Sequence, residues 1–483
     1  MQGKKDYEEK LFLSFRLSER VPTDNFYRKL RETLDLSFLR KMTQCYYGTE
    51  GQKSIDAEVF FKLMLIGYLE NINSDRKIVE QASMRMDMLF FLGYDIDEPL
   101  PWHSTLSRTR NLLGKAVFLE MFRHILKICI SKGMVSGTRQ AVDSAFIKAN
   151  AAMDSLVEKA SEDFYNEVRE NEENKSGKIQ RNREQKHSDR FVSTSDPDAR
   201  VSQKKGKVSQ LNYYGQISVD TGNHVICGAM ADFADQKDSE CTAAIVGQTI
   251  ENLKGNAIIV EEVLADTNYS SGKSLRYLEE QNIKSYIPNH GGYNPEKDGF
   301  TYNKENDCYV CSQGVKLHFR GIYRKANRIV TARSYRTQIG DCKTCPLHET
   351  CTNKRGYKEI SVTSDKPYYE RAAKRMNTLK GKRMMRLRGA TVEPVLGTLL
   401  HFRAMKKVYT KGIDLADKHV LLAAMAYNLK KLVAYKDIKS ATNTIRNTIA
   451  NFKMTALNDL LHFYKLIFDY VTKKYHPEIL MCL

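Results

Sequence analysis

The chain has no run of about 18 apolar residues, and its opening MQGKKDYEEK lacks an apolar segment. Neither a membrane-spanning helix nor a secretory signal is therefore expected, and the cytoplasm is the expected compartment. Its ten cysteines are not spread as a disulfide scaffold: five stand within residues 308–351, as C-x2-C and then C-x2-C-x5-C. Cys45, Cys129, Cys227, Cys241 and Cys482 are scattered and read as structural thiols. No repeat recurs at periods of about 20–50 residues, which excludes a solenoid or propeller. Acid is scarce in one place, since Arg371 to Lys411 holds twelve Lys or Arg and a single acid, Glu393. Base is plentiful throughout. With 76 Lys+Arg against 58 Asp+Glu, the formal charge is +18 over 483 residues. That favours a polyanionic partner, nucleic acid before a membrane surface, but indicates a partner and not an activity. The length and a 42% hydrophobic content allow two or three domains, each with its own core.

From Asn25 to about Val135 the apolar residues fall at helical spacing, as in Val59, Phe60, Leu63, Met64, Ile66 and Leu69. Trp102 to Arg110 predicts a helix with a Ser/Thr cap and arginines in its first turns, the form of a DNA-reading helix but more often a solvated face. At Arg139 the pattern changes. Gln140–Ile147 is short, apolar and acid-bearing, the character of a buried strand. Residues 154–190 are acidic first and then basic, and read as a mobile excursion. Two strand-like runs, 212–219 and 224–231, flank the turn residues Asp220, Gly222 and Asn223 and predict a hairpin. A helix over 239–253, a strand over 257–264 ending on Ala265-Asp266, a helix over 273–281 and a strand over 285–288 follow. This order describes a mixed α/β sheet. Residues 289–370 interrupt it with short polar β-like pieces around the cysteines, and a helix with Leu421, Leu422, Met425, Leu429 and Leu432 at helical spacing lies near the end.

An acid at the end of a buried strand needs a compensating charge or a metal, because a desolvated carboxylate is costly. Asp143 and Asp266 are both read in that context, and Glu393 stands alone in its basic stretch. Two strand-borne aspartates and a helix-borne glutamate suit a pair of Mg2+ or Mn2+ ions about 3.5–4 Å apart, the arrangement for in-line displacement at phosphorus. Glu393 has two helical settings: a helix starting at Thr391 with Pro394 in its first turn, or a helix running through from Arg383 and kinked at Pro394. In the second, Arg386 shares a face with Glu393, as a phosphate or orienting contact.

These segments resemble those of bacterial insertion-sequence DDE transposases. Pro101–Leu106 resembles the end of that family's N-terminal helical domain, and Val142–Asn150 its first-aspartate strand. Asp196–Arg200 with Lys204–Gly206 is similar to its substrate-side loop, Leu264–Ser271 to its second-aspartate segment, Thr391–Gly397 to its glutamate helix and Tyr427–Leu432 to its closing helix. The resemblance implies an α+β, mixed α/β chain with an RNase-H-like, retroviral-integrase-like core interrupted before the glutamate by a β-rich, Cys-containing insertion. The domains implied are a helical DNA-binding or dimerisation domain (1–135), a first core part (136–288, with a charged excursion over 154–210), the Cys-rich insertion (289–370), the glutamate and closing helices (371–435) and a helical tail (436–483). It implies catalysis by Asp143, Asp266 and Glu393 with Mg2+ or Mn2+, binding of double-stranded DNA at the terminal repeats and target, end cleavage and joining of 3′-hydroxyls, and a homodimer holding two ends. Many relatives carry a Lys seven residues after the glutamate. Here that position is Leu400, with His401, Arg403 or Lys406 as substitutes.

The candidate DNA contacts are Arg108, Arg110, Lys148, Arg200, Lys204, Tyr269 (stacking on a flipped base), Arg386, Arg388, His401, Arg403 and Lys406. Asp238, Asp196 and Asp198 read as orienting acids. Two C-x2-C pairs separated by 30 residues are a candidate structural Zn2+ site. Its donors by resemblance are Cys311, Cys342, Cys345 and Cys351, with Cys308 as the alternative. The competing readings are an inactive DNA-binding remnant, an RNase-H-like nuclease without strand transfer, and a zinc-stabilised basic scaffold.

Overall fold

Helix formation in the first third follows the apolar spacing. Asn25 accepts from the Tyr27 and Arg28 N–H groups and so caps α1 (Phe26–Thr33), and Asp56 does the same for α3 (Ala57–Leu69) through Glu58 N–H. Between them lies α2 (Phe38–Thr43). Helix α3 is buried along nearly its whole length, so α4 (Asp75–Met84), α5 (Met86–Leu92), α6 (His103–Leu112) and α7 (Lys115–Ser131) pack around it. The expected Ser/Thr cap on α6 is corrected: Trp102 takes the N-cap position with extended backbone and no side-chain cap bond.

The computed structural model describes residues 5, 14–48, 50, 54–158, 190–203, 206, 208–290, 299–324 and 331–435. Two units divide the chain, Met1–Val433 and Ala434–Leu483. The expected tail over 436–483 and most of the charged excursion lie outside the described residues.

The core sheet contains β1 (Arg139–Lys148), β2 (Gln210–Asp220), β3 (Ile226–Phe233), β4 (Glu262–Leu264) and β5 (Lys284–Tyr286) in the order β3-β2-β1-β4-β5. Strands β1, β2 and β3 pair antiparallel, whereas β4 joins β1 and β5 joins β4 in parallel. This is an RNase-H-like arrangement in a mixed α/β chain. A short strand, Arg200–Ser202, adds to the start of β2. The crossovers between the parallel strands are α8 (Asp238–Lys254) and α9 (Gly272–Glu280). The strand expected over 257–264 shrinks to Glu262–Leu264, because a turn that holds Ala257 at φ 55° takes up its first residues.

Residues 300–363 build a second, antiparallel sheet from β6 (Phe300–Asn303), β7 (Cys308–Cys311), β8 (Lys316–Arg324), β9 (Thr331–Arg336) and β10 (Glu359–Thr363), each paired with its sequence neighbour. Tyr309, Leu317, Tyr335, Ile360 and Val362 form its small core. After it come α10 (Lys366–Met376), α11 (Leu379–Phe402) and α12 (Ile413–Ala434).

Helix α11 settles the setting of Glu393: it runs unbroken from Leu379, with Pro394 inside it. Helix α12 is buried on nearly every side, including three consecutive polar residues. Asp417 accepts the Ala231 N–H and pairs with Lys115 at 3.0 Å. The Lys418 ammonium donates to the Arg110 and Leu113 carbonyls at 3.0 and 2.7 Å, and His419 Nδ1 meets the Tyr68 hydroxyl at 2.7 Å. These contacts fasten the helical region to the core sheet within the first unit.

Candidate active site

The parallel register of β1 on β4 opposes Ala141 to Leu264. Asp143 and Asp266 each stand two residues further on, side by side at the carboxyl end of β4. Asp143 is in the middle of β1 and not at its end as the sequence suggested, because β1 continues to Lys148 against β2. Asp266 caps a single 3-10 turn, Thr267–Tyr269, accepting from Asn268 N–H at 2.9 Å. Helix α11 crosses β1 and brings the third acid. There Arg388 donates through one nitrogen to Asp143 Oδ2 and through the other to Glu393 Oε1, each at 3.0 Å.

Burial pushes the Asp143 carboxyl up to about 6, with the Ser144 N–H and the Arg388 guanidinium pulling it back. Asp266 is raised as well, again chiefly by burial. Negative charge is concentrated further by Asp238, at the start of α8, which accepts from Ser144 Oγ at 2.6 Å and from the Tyr214 hydroxyl at 2.7 Å. Tyr269 lies beneath, donating to Gln216 Oε1 at 2.6 Å. Asp238 thus fixes the Ser144 and Tyr214 hydroxyls, and neither partner is a loop backbone group or a basic side chain. Ser144, Tyr214 and Gln216 were not singled out by sequence; the nearest signal was the alternation of β1 and β2, which turns Ser144 away from Asp143.

Three carboxylates against one guanidinium leave an excess of negative charge on hard oxygen donors, and that donor set fits Mg2+ or Mn2+. Among the described residues, however, no three His, Cys, Asp or Glu side chains are gathered as a metal-binding group. Arg388 stands between Asp143 and Glu393 instead.

Besides Arg388, the candidate DNA contacts differ in their exposure. Arg108, Lys148, Arg386, His401 and Lys406 are exposed. Three of the others are corrected. Arg110 is buried and held by Asp75 at 3.1 Å. Arg403 is buried and donates to the Leu69 and Phe402 carbonyls. Tyr269 is fully buried, so its ring presents no face to a flipped base. Arg200 is half-buried, donating to the Pro197 carbonyl and lying over the Phe233 ring, and Lys204 lies outside the described residues.

Around the cysteine sheet, Cys311, Cys342, Cys345 and Cys351 line one cavity of about 190 Å³ together with His348. Cys308 is buried and is not among the lining residues. Cys342 feels the other three thiols, and burial raises its own.

Residues 15–112 match a family described as "Transposase domain (DUF772)", and residues 310–433 match "Transposase DDE domain". The second match contains Glu393, whereas Asp143 and Asp266 lie between the two matched segments. The second matched segment is thus a transposase DDE domain, the class of enzyme domain whose reaction is metal-dependent DNA cleavage and strand transfer. More particularly, the chain joins a DUF772 transposase domain to a transposase DDE domain. No curated protein matches it. Among solved structures, the piggyBac transposase synaptic complex with hairpin DNA aligns at 9% identity over 87% of this chain and 75% of that one, with a TM-score of 0.31. The Mos1 transposase paired-end complex with the left transposon end aligns at 11% identity over 52% and 63%, with a TM-score of 0.16. The two family matches, together with the sheet order, carry the assignment. No described helix is long and apolar enough to cross a membrane.

Proposed function

We propose that this transposase binds the terminal inverted repeats of its own insertion sequence, cuts the element ends and joins the 3′-hydroxyls to target DNA, acting in the cytoplasm as a dimer that holds two ends. The observation that carries the reading is that Asp143 and Asp266 each follow the Ala141–Leu264 register pair by two residues, with Glu393 linked to Asp143 from α11 through Arg388. Asp143, Asp266 and Glu393 would hold two Mg2+ or Mn2+ ions, which supply nucleophile activation and leaving-group stabilisation when bound. The chain's own part is to fix the three carboxylates. Ser144 N–H sets Asp143, and Asn268 sets Asp266. Exposed Arg386 and Lys406 on and after α11, with Lys148 at the end of β1, present positive charge to the phosphodiester backbone, and exposed His401 lies beside them. In the second sheet, Cys311, Cys342, Cys345 and Cys351 are the soft donors for a structural Zn2+.

The test is an end-cleavage and strand-transfer assay on the DNA flanking the gene, with Mg2+ or Mn2+. Asp143→Asn, Asp266→Asn and Glu393→Gln are each expected to abolish cleavage and, with binding measured in the absence of divalent metal, to leave end binding nearly unchanged. Loss of binding in step with cleavage overturns the metal-ligand assignment. Binding without cleavage by the wild type marks an inactive remnant, and cleavage without joining marks a nuclease. Light scattering of the protein with end DNA should give two chains per complex.

A further inference from the structure

The position of Arg388 has a consequence for how the metal enters. Its guanidinium is one of the most enclosed charges at the site, with a side chain only 14% exposed, and it bonds at once to Asp143, 18% exposed, and Glu393, 63% exposed. The oxygens it engages, Asp143 Oδ2 and Glu393 Oε1, belong to the two acids that a shared ion must draw together. Among the described residues, Arg388 Nε is buried without a hydrogen-bond partner, and the two carboxylates are the side chain's hydrogen-bond partners. Without a cation, acids placed this close repel one another and lose hydration, and the guanidinium relieves both costs.

We propose that Arg388 is a resident counter-ion that a divalent metal must displace, and that the displaced guanidinium then pairs with a DNA phosphate, so that metal and DNA binding reinforce each other. This rests on the reading of Asp143 and Glu393 as metal ligands. A dication seated between the two carboxylates competes for their charge with the guanidinium, because the two cations repel one another at close range. Arg388 therefore opposes metal loading while the DNA is absent. Its neighbours favour the second half of the exchange: Lys382, Arg383 and Arg386 on the same helix are exposed, and a phosphate drawn to them is a partner for the released fork. Coupling of this kind is reciprocal: whatever factor DNA adds to metal affinity, metal adds to DNA affinity.

The experiment is a Mn2+ titration of the metal-stripped full-length protein, read by the electron paramagnetic resonance of free Mn2+, with and without a short duplex oligonucleotide. The wild type should bind Mn2+ weakly alone and tighten with duplex by roughly 5–150-fold, the usual range of such coupling. Arg388→Met should bind Mn2+ tightly without duplex and lose most of the duplex effect. Arg388→Lys, a point charge that cannot bridge both acids, should fall between, and it carries the test if the Met variant does not fold. Mn2+ affinity in both variants equal to or weaker than wild type without duplex overturns the proposal. Glu393→Gln and Asp143→Asn separate the two layers of the argument. Unchanged Mn2+ binding in both removes the metal-ligand reading itself, and the displacement of Arg388 with it.

Discussion

His419 shows how a single buried side chain ties stability to pH. It is buried against Tyr68, and burial lowers its ionisation to about 4. The folded chain therefore keeps the imidazole neutral where the unfolded chain, near the ordinary histidine value of about 6.5, takes a proton. Because the unfolded state binds more protons between those values, stability contributed here is full above about 6.5 and is lost as pH falls toward about 4. Melting temperature against pH should show this fall in the wild type. His419→Phe should flatten that part of the curve while lowering the melting temperature at neutral pH, because the Tyr68 hydroxyl loses its partner. An unchanged slope in the variant assigns the pH dependence to other groups. The three acids were legible in the sequence at this scale because each stands out by context. For a helix running through Pro394 the sequence pointed to Arg386 as the arginine beside Glu393; the helix does run through, but Arg388 bonds both carboxylates and Arg386 is exposed. The burial of Arg110, Arg403 and Tyr269 was equally hidden, because it depends on contacts more than 30 residues away in sequence.

Among the elements, α12 departs furthest from its sequence pattern. Its leucines at helical spacing announced an amphipathic helix, yet Asp417, Lys418 and His419 are also buried, because the helical region covers the side that would otherwise be wet. Burying Lys418 is tolerated by two carbonyl acceptors and the Phe118 ring. Lys418→Met keeps the volume and leaves those carbonyls unpaired, a cost of about 1–3 kcal/mol that denaturant unfolding would read. A loss below the error of the measurement would mean that water replaces the ammonium. The hairpin of β2 and β3 was legible from its turn residues, and the second sheet only as β-like pieces, because its pairing depends on contacts that alternation alone does not specify. Its thiols carry the zinc expectation. Metal analysis should find about one Zn2+ per chain, and a chelator should lower the melting temperature. Four freely titrating thiols in the native protein, with no zinc, would remove the ion and leave the cavity as ordinary packing.

For the whole molecule, the charge of +18 acquires meaning only once the basic residues are sorted by where they point. An arginine exchanged between counter-ions in solution and a DNA phosphate contributes to affinity and to its salt dependence, because neutralising each phosphate releases condensed ions. One already paired inside the fold contributes to neither. Arg386 and Lys406 are exposed, whereas Arg110 and Arg403 are buried on Asp75 and on the Leu69 and Phe402 carbonyls. Replacing Arg386 and Lys406 together by Gln should weaken binding to any duplex and reduce the slope of log affinity against log salt by about 2, roughly one unit for each phosphate contact. Arg110→Met or Arg403→Met should leave that slope unchanged and lower the melting temperature instead. The two readouts cross if the sorting is wrong: a reduced slope in the buried pair, with stability intact, would mean that DNA reaches a face of the helical region that this packing closes.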